Sequence, residues 1–176
     1  FGVRDLVAFD RVSEPKVSPD GRQVVFTVSA LDFDANKRRT DLWLVGSDGT
    51  GLRKLTQHDA PDTSAVFAPD GKAIYFLSTR GGSSQVWRLP LDGGEPQPVT
   101  KLPLDVGSFV VSPDGTKLAI AMEVFPGTTV AETKKRLDEE GAKKASGKIY
   151  DSLFMRHWDT WADGRRSHLF VMPASG

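Results

Sequence analysis

The sequence predicts an all-β fold built from repeated four-stranded units, and three observations support this. A Pro-Asp-Gly turn occurs three times, beginning at Pro19, Pro69 and Pro113, spaced 50 and then 44 residues apart. Each copy leads into a run of β-branched and apolar residues, which favour strands. Asp-Gly pairs, typical of tight hairpins, follow in the first two copies. Self-similarity at a period of about 20–50 residues indicates a repeat architecture.

The repeated turn has a physical reason for each of its residues. Proline fits the second position of a type I turn because its φ is already near −65°. Aspartate tolerates the backbone conformation behind it, and glycine supplies the positive φ from which the next strand can start. The turn therefore predicts a strand on each side of every copy.

A short helix is predicted ahead of the first repeat. Val3, Leu6 and Val7 recur at helical spacing. We expect residues 1–11 to form a helical lead-in segment that packs across another surface.

Two complete units are predicted at about 12–58 and 63–103. Proline within the last strand of the second unit, at Pro98, marks that strand as an outer edge, where a missing N–H costs nothing. Four short antiparallel strands every 40-odd residues describe a blade of a β-propeller. The predicted strands of the second blade are 64–67, 72–78, 85–89 and 97–100.

The third unit, at 105–176, carries an insertion. Its third strand, around Phe170, comes about 39 residues later than the spacing of the second blade allows. We place the insertion at about 126–165, and the sequence ends where a fourth strand would follow. The prediction is a partial propeller of about two and a half blades with a helical insertion. Its bare blade faces predict a larger parent protein or, as an alternative, a homo-oligomer.

The insertion is expected to contain two helices. Thr129 and Glu132 have capping-box spacing, so the first should span about 129–145. Acid-before-base pairs such as Glu132 with Arg136 predict a solvated arm. A second helix is expected at about 148–160, because apolar and aromatic residues recur every four positions, at Ile149, Leu153, His157 and Trp161.

The second predicted helix has two alternative roles. Its broad apolar face could dock onto the blade or onto another domain. Alternatively, the insertion rims the central chamber and presents Arg156 and Asp159, one helical turn apart, to a ligand. Trp158 and Trp161 would then form walls, and Glu123, at the mouth of the insertion, could contribute a carboxylate. These five residues are the candidate substrate-binding set.

Other conspicuous residues have structural explanations. Trp43 and Trp87 occupy the same place in their blades, which favours packing between blades over ligand binding. His168 falls where Asp41 and Gln85 fall, so a hydrogen bond within the blade explains it better than catalysis.

Composition and motifs exclude several classes of function. The 23 basic and 23 acidic side chains leave no basic excess to attract nucleic acid or anionic lipid, and no run of 18 apolar residues predicts a membrane span. The absence of cysteine excludes thiol catalysis. The sequence contains no G-x-S-x-G elbow, phosphate loop or H-E-x-x-H motif, so it predicts no catalytic residue, metal or cofactor in this chain.

The repeats resemble the propeller repeats of prolyl-oligopeptidase-family serine peptidases. The shared features are the Ser-Pro-Asp-Gly turn, the aromatic third strand and the closing Leu-Thr or Val-Thr. The opening from Asp5 to Gly21 is similar to the start of the acylaminoacyl-peptidase and dipeptidyl-peptidase-5-like branch. The segment from Ile149 to Trp161 strengthens that similarity.

This resemblance implies a two-domain serine exopeptidase. Its N-terminal propeller would admit short peptides to a C-terminal α/β-hydrolase domain with a Ser-Asp-His triad, which this sequence lacks. In dipeptidyl members the propeller also holds the free amino end of the substrate. The expected partners are short peptides and the protein's own hydrolase domain, in a periplasmic or secreted setting. The alternative is a non-enzymatic Tol-type periplasmic propeller that binds a protein partner.

Overall fold

The structure is a computed structural model that describes residues 1–144, 147, 156–157 and 160–176. Its β-structure falls into two four-stranded antiparallel sheets, one three-stranded sheet and a two-stranded ribbon. Each larger sheet starts before one of the repeated turns and contains it. The predicted all-β partial propeller is confirmed.

The first blade follows helix α1 (Val3–Ala8). It contains β1 (Arg11–Val17), β2 (Gln23–Asp32), β3 (Lys37–Gly46) and β4 (Arg53–Lys54), in that spatial order. The second blade contains β5 (Asp62–Phe67), β6 (Ala73–Ser78), β7 (Gln85–Pro90) and β8 (Gln97–Pro98), again in order. Pro98 lies in the edge strand, as predicted.

The third blade has its strands in the order β13–β10–β9. Strands β9 (Ser108–Val111) and β10 (Lys117–Val124) flank the third turn, and β13 (Arg166–Pro173) pairs with β10 along its whole length. Between β10 and β13 lie helix α2 (Val130–Gly141) and the short strands β11 (Arg156–His157) and β12 (Thr160–Trp161). The late third strand inferred from the sequence is therefore β13.

The repeated turns have the backbone that their sequence predicts. Gly21, Gly71 and Gly115 have φ values of 72°, 69° and 71°. Turns of successive blades also contact each other, since a Cβ on Gly115 would lie 3.6 Å from the Pro69 ring. Glycine at that position therefore serves both the backbone conformation and the approach of neighbouring blades.

The third turn is expected to stabilise the fold near neutral pH, and this contribution is expected to be lost in acid. The Ser112 hydroxyl, the Thr116 N–H and the Thr116 hydroxyl donate to the Asp114 carboxylate and lower its pKa from 3.8 to about 2. A lowered folded-state pKa gives stability that is present above the unfolded pKa, about 4, and is lost as the pH falls toward about 2. We expect Asp114→Asn to lower stability near neutral pH and to flatten its dependence between about pH 4 and 2, measured by unfolding across that range.

The second turn offers a matched control for this prediction. Asp70 also accepts a backbone N–H, from Lys72 at 3.0 Å, but residue 68 is alanine and carries no hydroxyl. Ser112→Ala, which gives the third turn the alanine found in the second, should therefore reduce the dependence of stability on pH between about pH 4 and 2. A pH profile unchanged by Ser112→Ala would contradict the role assigned to the hydroxyl donors.

Two hydrophobic clusters join the blades, and β6 contributes to both. Its side chains alternate, so that Ile74 and Phe76 face the first blade while Tyr75 and Leu77 face the third. All of these side chains are buried. The sequence of β6 is continuously apolar because the second blade has a neighbouring blade on each face.

Equivalent residues of the first two blades occupy equivalent places. Trp43 pairs with Phe26 and Trp87 with Phe76 across the second and third strands. The Thr56 hydroxyl accepts the backbone N–H of the residue preceding Trp43 at 3.0 Å, and Thr100 repeats this bond at 2.9 Å. These matches confirm the repeat.

One face of the third blade is open. This face carries the exposed side chains of Val110, Leu169 and Val171. Their cross-strand neighbours on the same face are Ala119 and Ala121 of β10. The corresponding face of the second blade is covered by the third. The open sheets agree with a partial propeller.

Helix α2 begins as predicted, but its surface differs from the prediction. Thr129 caps it, with Glu132 completing the capping box. Its ion pairs run base before acid, Lys134 with Asp138 and Arg136 with Glu140, so the predicted acid-before-base pairs are wrong. Glu132 is held at the cap instead. None of the helices in the described ranges has the length and hydropathy to cross a membrane.

The prediction that this helix is a solvated arm is also wrong on one face. Val130 and Leu137 pack against the cluster between the second and third blades, and Thr133 is fully buried. Arg136 places its guanidinium carbon 3.8 Å from the centre of the Phe125 ring. The helix is therefore anchored to the blade, a contact that charge spacing alone does not reveal.

The second predicted helix, at 148–160, is corrected where the structure describes it. Arg156–His157 and Thr160–Trp161 form the antiparallel ribbon β11–β12, with Arg156 opposite Trp161. Aromatic and β-branched residues favour such pairing, and the period of a short apolar run cannot exclude it. The other residues of that predicted helix lie outside the described residues.

Candidate functional site

A cleft of about 800 Å³ lies at the mouth of the insertion, and we call it the insertion cleft. It is bordered by the β6–β7 loop, the linker between the second and third blades, the end of β10, helix α2 and the start of β13. Its volume lies in the range of small-molecule and peptide pockets. The charged residues that line it are Asp105, Glu123, Lys134, Asp138 and Arg165.

We call the first strand of each blade (β1, β5 and β9) its inner strand. The cleft exists because the inner strand of the third blade, β9, stops early. In the first two blades the inner strand passes a bulge and continues to Arg11 and to Asp62. In the third blade the last β9–β10 pair is Ser108 with Ala121, whereas β10 itself continues to Val124. The end of β10 therefore borders open space on its inner side.

The linker leaves this space because it bonds to the second blade. Ser84 N–H donates to Asp105 Oδ1 at 2.8 Å, and Val106 N–H donates to the Ser84 carbonyl at 2.8 Å. Val106 is buried in the cluster between the blades. These contacts draw residues 105–106 away from the edge of β10.

Arg165 organises the charge on one wall of the cleft. Its Nε lies 2.7 Å from Asp163 Oδ2 and its Nη2 lies 3.5 Å from Glu123 Oε2. Burial raises the pKa of Asp163, but hydrogen bonds from the Arg165 N–H and guanidinium outweigh it and leave that pKa below its usual value. Because the closer contact goes to Asp163, the Glu123 carboxylate can still accept hydrogen bonds from a ligand.

The structure places one of the five predicted site residues in the cleft. Glu123 lies on its wall with an exposed side chain. The side chains of Arg156, Trp158, Asp159 and Trp161 lie outside the described residues. Arg156 lies in strand β11, so the helix predicted to carry it is wrong at this residue.

Sequence reasoning missed the other cleft residues. Arg165 and Asp105 sit in loops whose positions depend on blade packing, and no local motif marks them. It also missed Glu14, whose Oε2 accepts the Ser64 N–H at 2.8 Å and joins the inner strands of two blades. The Glu14-Pro15 pair within β1 was the available signal. It lies where the register of β1 shifts between Ser13 and Lys16, as expected at a β-bulge.

His168 has no catalytic contacts among the described residues. Its Nδ1 lies 3.0 Å from the Arg166 carbonyl, two residues away. Gln85, at the equivalent position, ties the blade to its linker through the Leu102 and Leu104 carbonyls. His168 is exposed and its described contact lies within its own strand, so the linker contact of the buried Gln85 is not repeated in the third blade.

The fold defines the class of protein: four-stranded blades, packed face to face about repeated turns, make this chain part of a β-propeller. The family model described as "TolB beta propeller domain" matches residues 5–147. The chain therefore belongs to the TolB β-propeller domain family.

Within that family the chain is similar to peptidases along nearly its whole length. It is 31% identical over 166 residues to Dipeptidyl-peptidase 5 of Porphyromonas endodontalis, covering 94% of this chain and 23% of that protein. The acylaminoacyl peptidase of Pyrococcus horikoshii has the same fold, with a TM-score of 0.64, 16% identity, and coverage of 96% of this chain and 24% of that one. The resemblance to prolyl-oligopeptidase-family peptidases is confirmed.

Similarity to TolB itself covers less of the chain. The TolB structure from Agrobacterium tumefaciens matches with a TM-score of 0.51 and 26% identity, over 62% of this chain and 39% of that one. The chain spans about a quarter of the length of the curated peptidases that it matches.

Proposed function

We propose that this chain is the substrate-gating propeller part of a serine exopeptidase that hydrolyses short peptides, of dipeptidyl- or acylaminoacyl-peptidase type. The hydrolase domain with its nucleophile would lie in the remainder of the parent protein. The propeller limits access to short peptides and holds their amino end. The insertion supplies the residues that do so.

One observation carries this proposal: similarity to Dipeptidyl-peptidase 5 covers 94% of the chain, insertion included. The insertion is the part that a generic propeller blade does not need. The insertion cleft opens at its mouth, with Glu123 on the wall. A carboxylate there could accept a charge-assisted hydrogen bond from a peptide ammonium group.

A non-enzymatic Tol-type propeller, in which the insertion docks a protein, is the second candidate. It is favoured by the match to the TolB structure from Agrobacterium tumefaciens. That match covers about two thirds of the chain, which makes the peptidase proposal the better supported. Activity of the intact protein separates the two.

The proposal predicts a role for Asp159 in binding the substrate's amino end, together with Arg156, Trp158 and Trp161. In the intact protein, Asp159→Ala is expected to lower kcat/KM for free-amine dipeptidyl substrates. The loss of transition-state stabilisation should be about 1.5–3 kcal/mol, the value of a hydrogen bond to a charged group. Steady-state kinetics measures the loss, which is roughly ten- to 150-fold.

Amine-blocked substrates and a surface variant supply the controls. Glu95→Ala, at an exposed position of the β7–β8 turn, should leave both substrate classes unaffected. Equal losses on free-amine and amine-blocked substrates, or a lower Tm with unchanged specificity, would show that Asp159 is structural.

A further inference from the structure

The inner edge of β10 has one backbone position to which no partner is assigned within the described ranges. On this edge the Lys117 carbonyl accepts the Ser112 N–H and the Ala121 carbonyl accepts the Gly107 N–H, each at 2.9 Å. Backbone groups of an antiparallel strand alternate between its two neighbours. The N–H and C=O of Glu123 therefore point to the same inner edge.

The next position along this edge is already occupied. Phe125 N–H donates to the Thr133 hydroxyl at 3.3 Å, and the Phe125 carbonyl accepts the Thr128 hydroxyl at 2.8 Å. Ala121 is occupied by the linker. Among the described residues, the position without a backbone partner on this edge is therefore one residue long, at Glu123, and Glu123 lines the insertion cleft.

The cleft has the room and the polarity for an extended peptide at this position. Ala121 and Ser167 share the Glu123 face of the sheet, and their small side chains leave space beside the backbone. The Glu123 and Asp105 carboxylates stand on two sides of the cleft.

Both cations of the cleft have closer acidic partners, since Lys134 lies 2.5 Å from Asp138 and Arg165 lies 2.7 Å from Asp163. The longer 3.5 Å contact from Arg165 to Glu123 leaves that carboxylate able to accept further hydrogen bonds.

We propose that the insertion cleft binds a peptide as a single antiparallel bridge to the backbone of Glu123, with the peptide's ammonium group beside the Glu123 carboxylate. The bridge residue donates its N–H to the Glu123 carbonyl and accepts the Glu123 N–H at its own carbonyl. The bridge residue is the second residue of the peptide. The nitrogen of the first residue is the ammonium group beside the Glu123 carboxylate, so the first amide N–H that can donate to the Glu123 carbonyl belongs to the second residue. This binding mode rests on the proposed function, which supplies the substrate class.

A backbone bridge is tested by methylating peptide amides one at a time. The intact protein, treated with a small serine-directed inhibitor to prevent turnover, is titrated calorimetrically with tetra-alanine amide and its singly N-methylated forms. N-methylation at the second residue should weaken binding at least tenfold, and methylation at the third or fourth by less than about threefold. Equal effects at all positions, or none, would overturn the proposal.

Variants locate the bridge in the cleft. Ala121→Leu fills the space beside Glu123 and should abolish both binding and the dependence on the second amide. Glu123→Gln should keep that dependence but reduce the preference for free-amine over acetylated peptides, whereas Glu95→Gln should change neither. If Ala121→Leu leaves the effect of N-methylation at the second residue unchanged, that amide is recognised outside the insertion cleft and the proposal is wrong.

The outcome is separable from that of the proposed function. A protein that hydrolyses dipeptidyl substrates without the N-methylation pattern keeps the function and loses the bridge. A protein that shows the pattern and hydrolyses nothing keeps the bridge and loses the peptidase assignment.

Discussion

Replacing Asp62 with alanine is expected to lower the free energy of unfolding by about 3–5 kcal/mol, the cost of breaking a buried ion pair. The Asp62 side chain is fully buried and its Oδ2 lies 2.5 Å from Arg80 Nη2. Arg80 is itself 11% exposed, and its guanidinium lies 5.2 Å from the centres of both the Phe76 and Trp87 rings. Alanine at 62 would leave this largely buried cation without its carboxylate.

Urea unfolding of the intact protein, followed by tryptophan fluorescence, measures the loss. The exposed pair of Arg39 and Asp59, at 2.6 Å, is the control. Its variant Asp59→Ala should cost less than about 1 kcal/mol, because solvent screens an exposed pair. A comparable small loss for Asp62→Ala would contradict the structural role given to the buried pair.

Phe76→Ala is expected to cost about 3–5 kcal/mol, as large-to-small changes in cores do. The ring is fully buried in the cluster between the first and second blades, with Val25 and Leu44 among its members. Phe33→Ala, on the exposed β2–β3 loop, should stay within about 0.5 kcal/mol. The same urea titration compares them.

Double variants test whether Phe76 belongs to the cluster between the first two blades. Phe76→Ala combined with Val25→Ala should depart from additivity, because both residues lie in one cluster. Phe76→Ala combined with Ile120→Ala should be additive, since Ile120 belongs to the cluster between the second and third blades. The reverse pattern would contradict the face assignment of β6.

Local turn chemistry made most of the blade structure predictable. Pro-Asp-Gly fixes the backbone of each turn, and the positive φ of Gly21, Gly71 and Gly115 follows from it. The equivalence of Trp43 and Trp87 follows in turn, because strand register counts from the turn.

The insertion was less predictable because its structure depends on what it packs against. The period of residues 149–161 is compatible with a helix, yet residues 156–157 and 160–161 form strands. Helix α2 was correctly placed by its cap, but burial of Thr133 and the contact of Leu137 with the blades arise only in the folded chain.

Glu123 was identified as a candidate from its position at the insertion's mouth, but the cleft beside it was not. That cleft forms because Asp105 and Val106 bond to Ser84, so that the linker does not pair with the end of β10 in the part of the chain that the structure describes. Such a cleft is a property of three segments that are distant in sequence. No pattern within any one of them predicts it.

The most direct test of the account is hydrolysis of chromogenic dipeptidyl and acylaminoacyl substrates by the intact protein, measured beside residues 1–176 alone. We expect turnover by the intact protein and none by the 176-residue chain, whose sequence contains no G-x-S-x-G nucleophile elbow. Turnover by residues 1–176 alone, or an intact protein that hydrolyses neither substrate class, would contradict it.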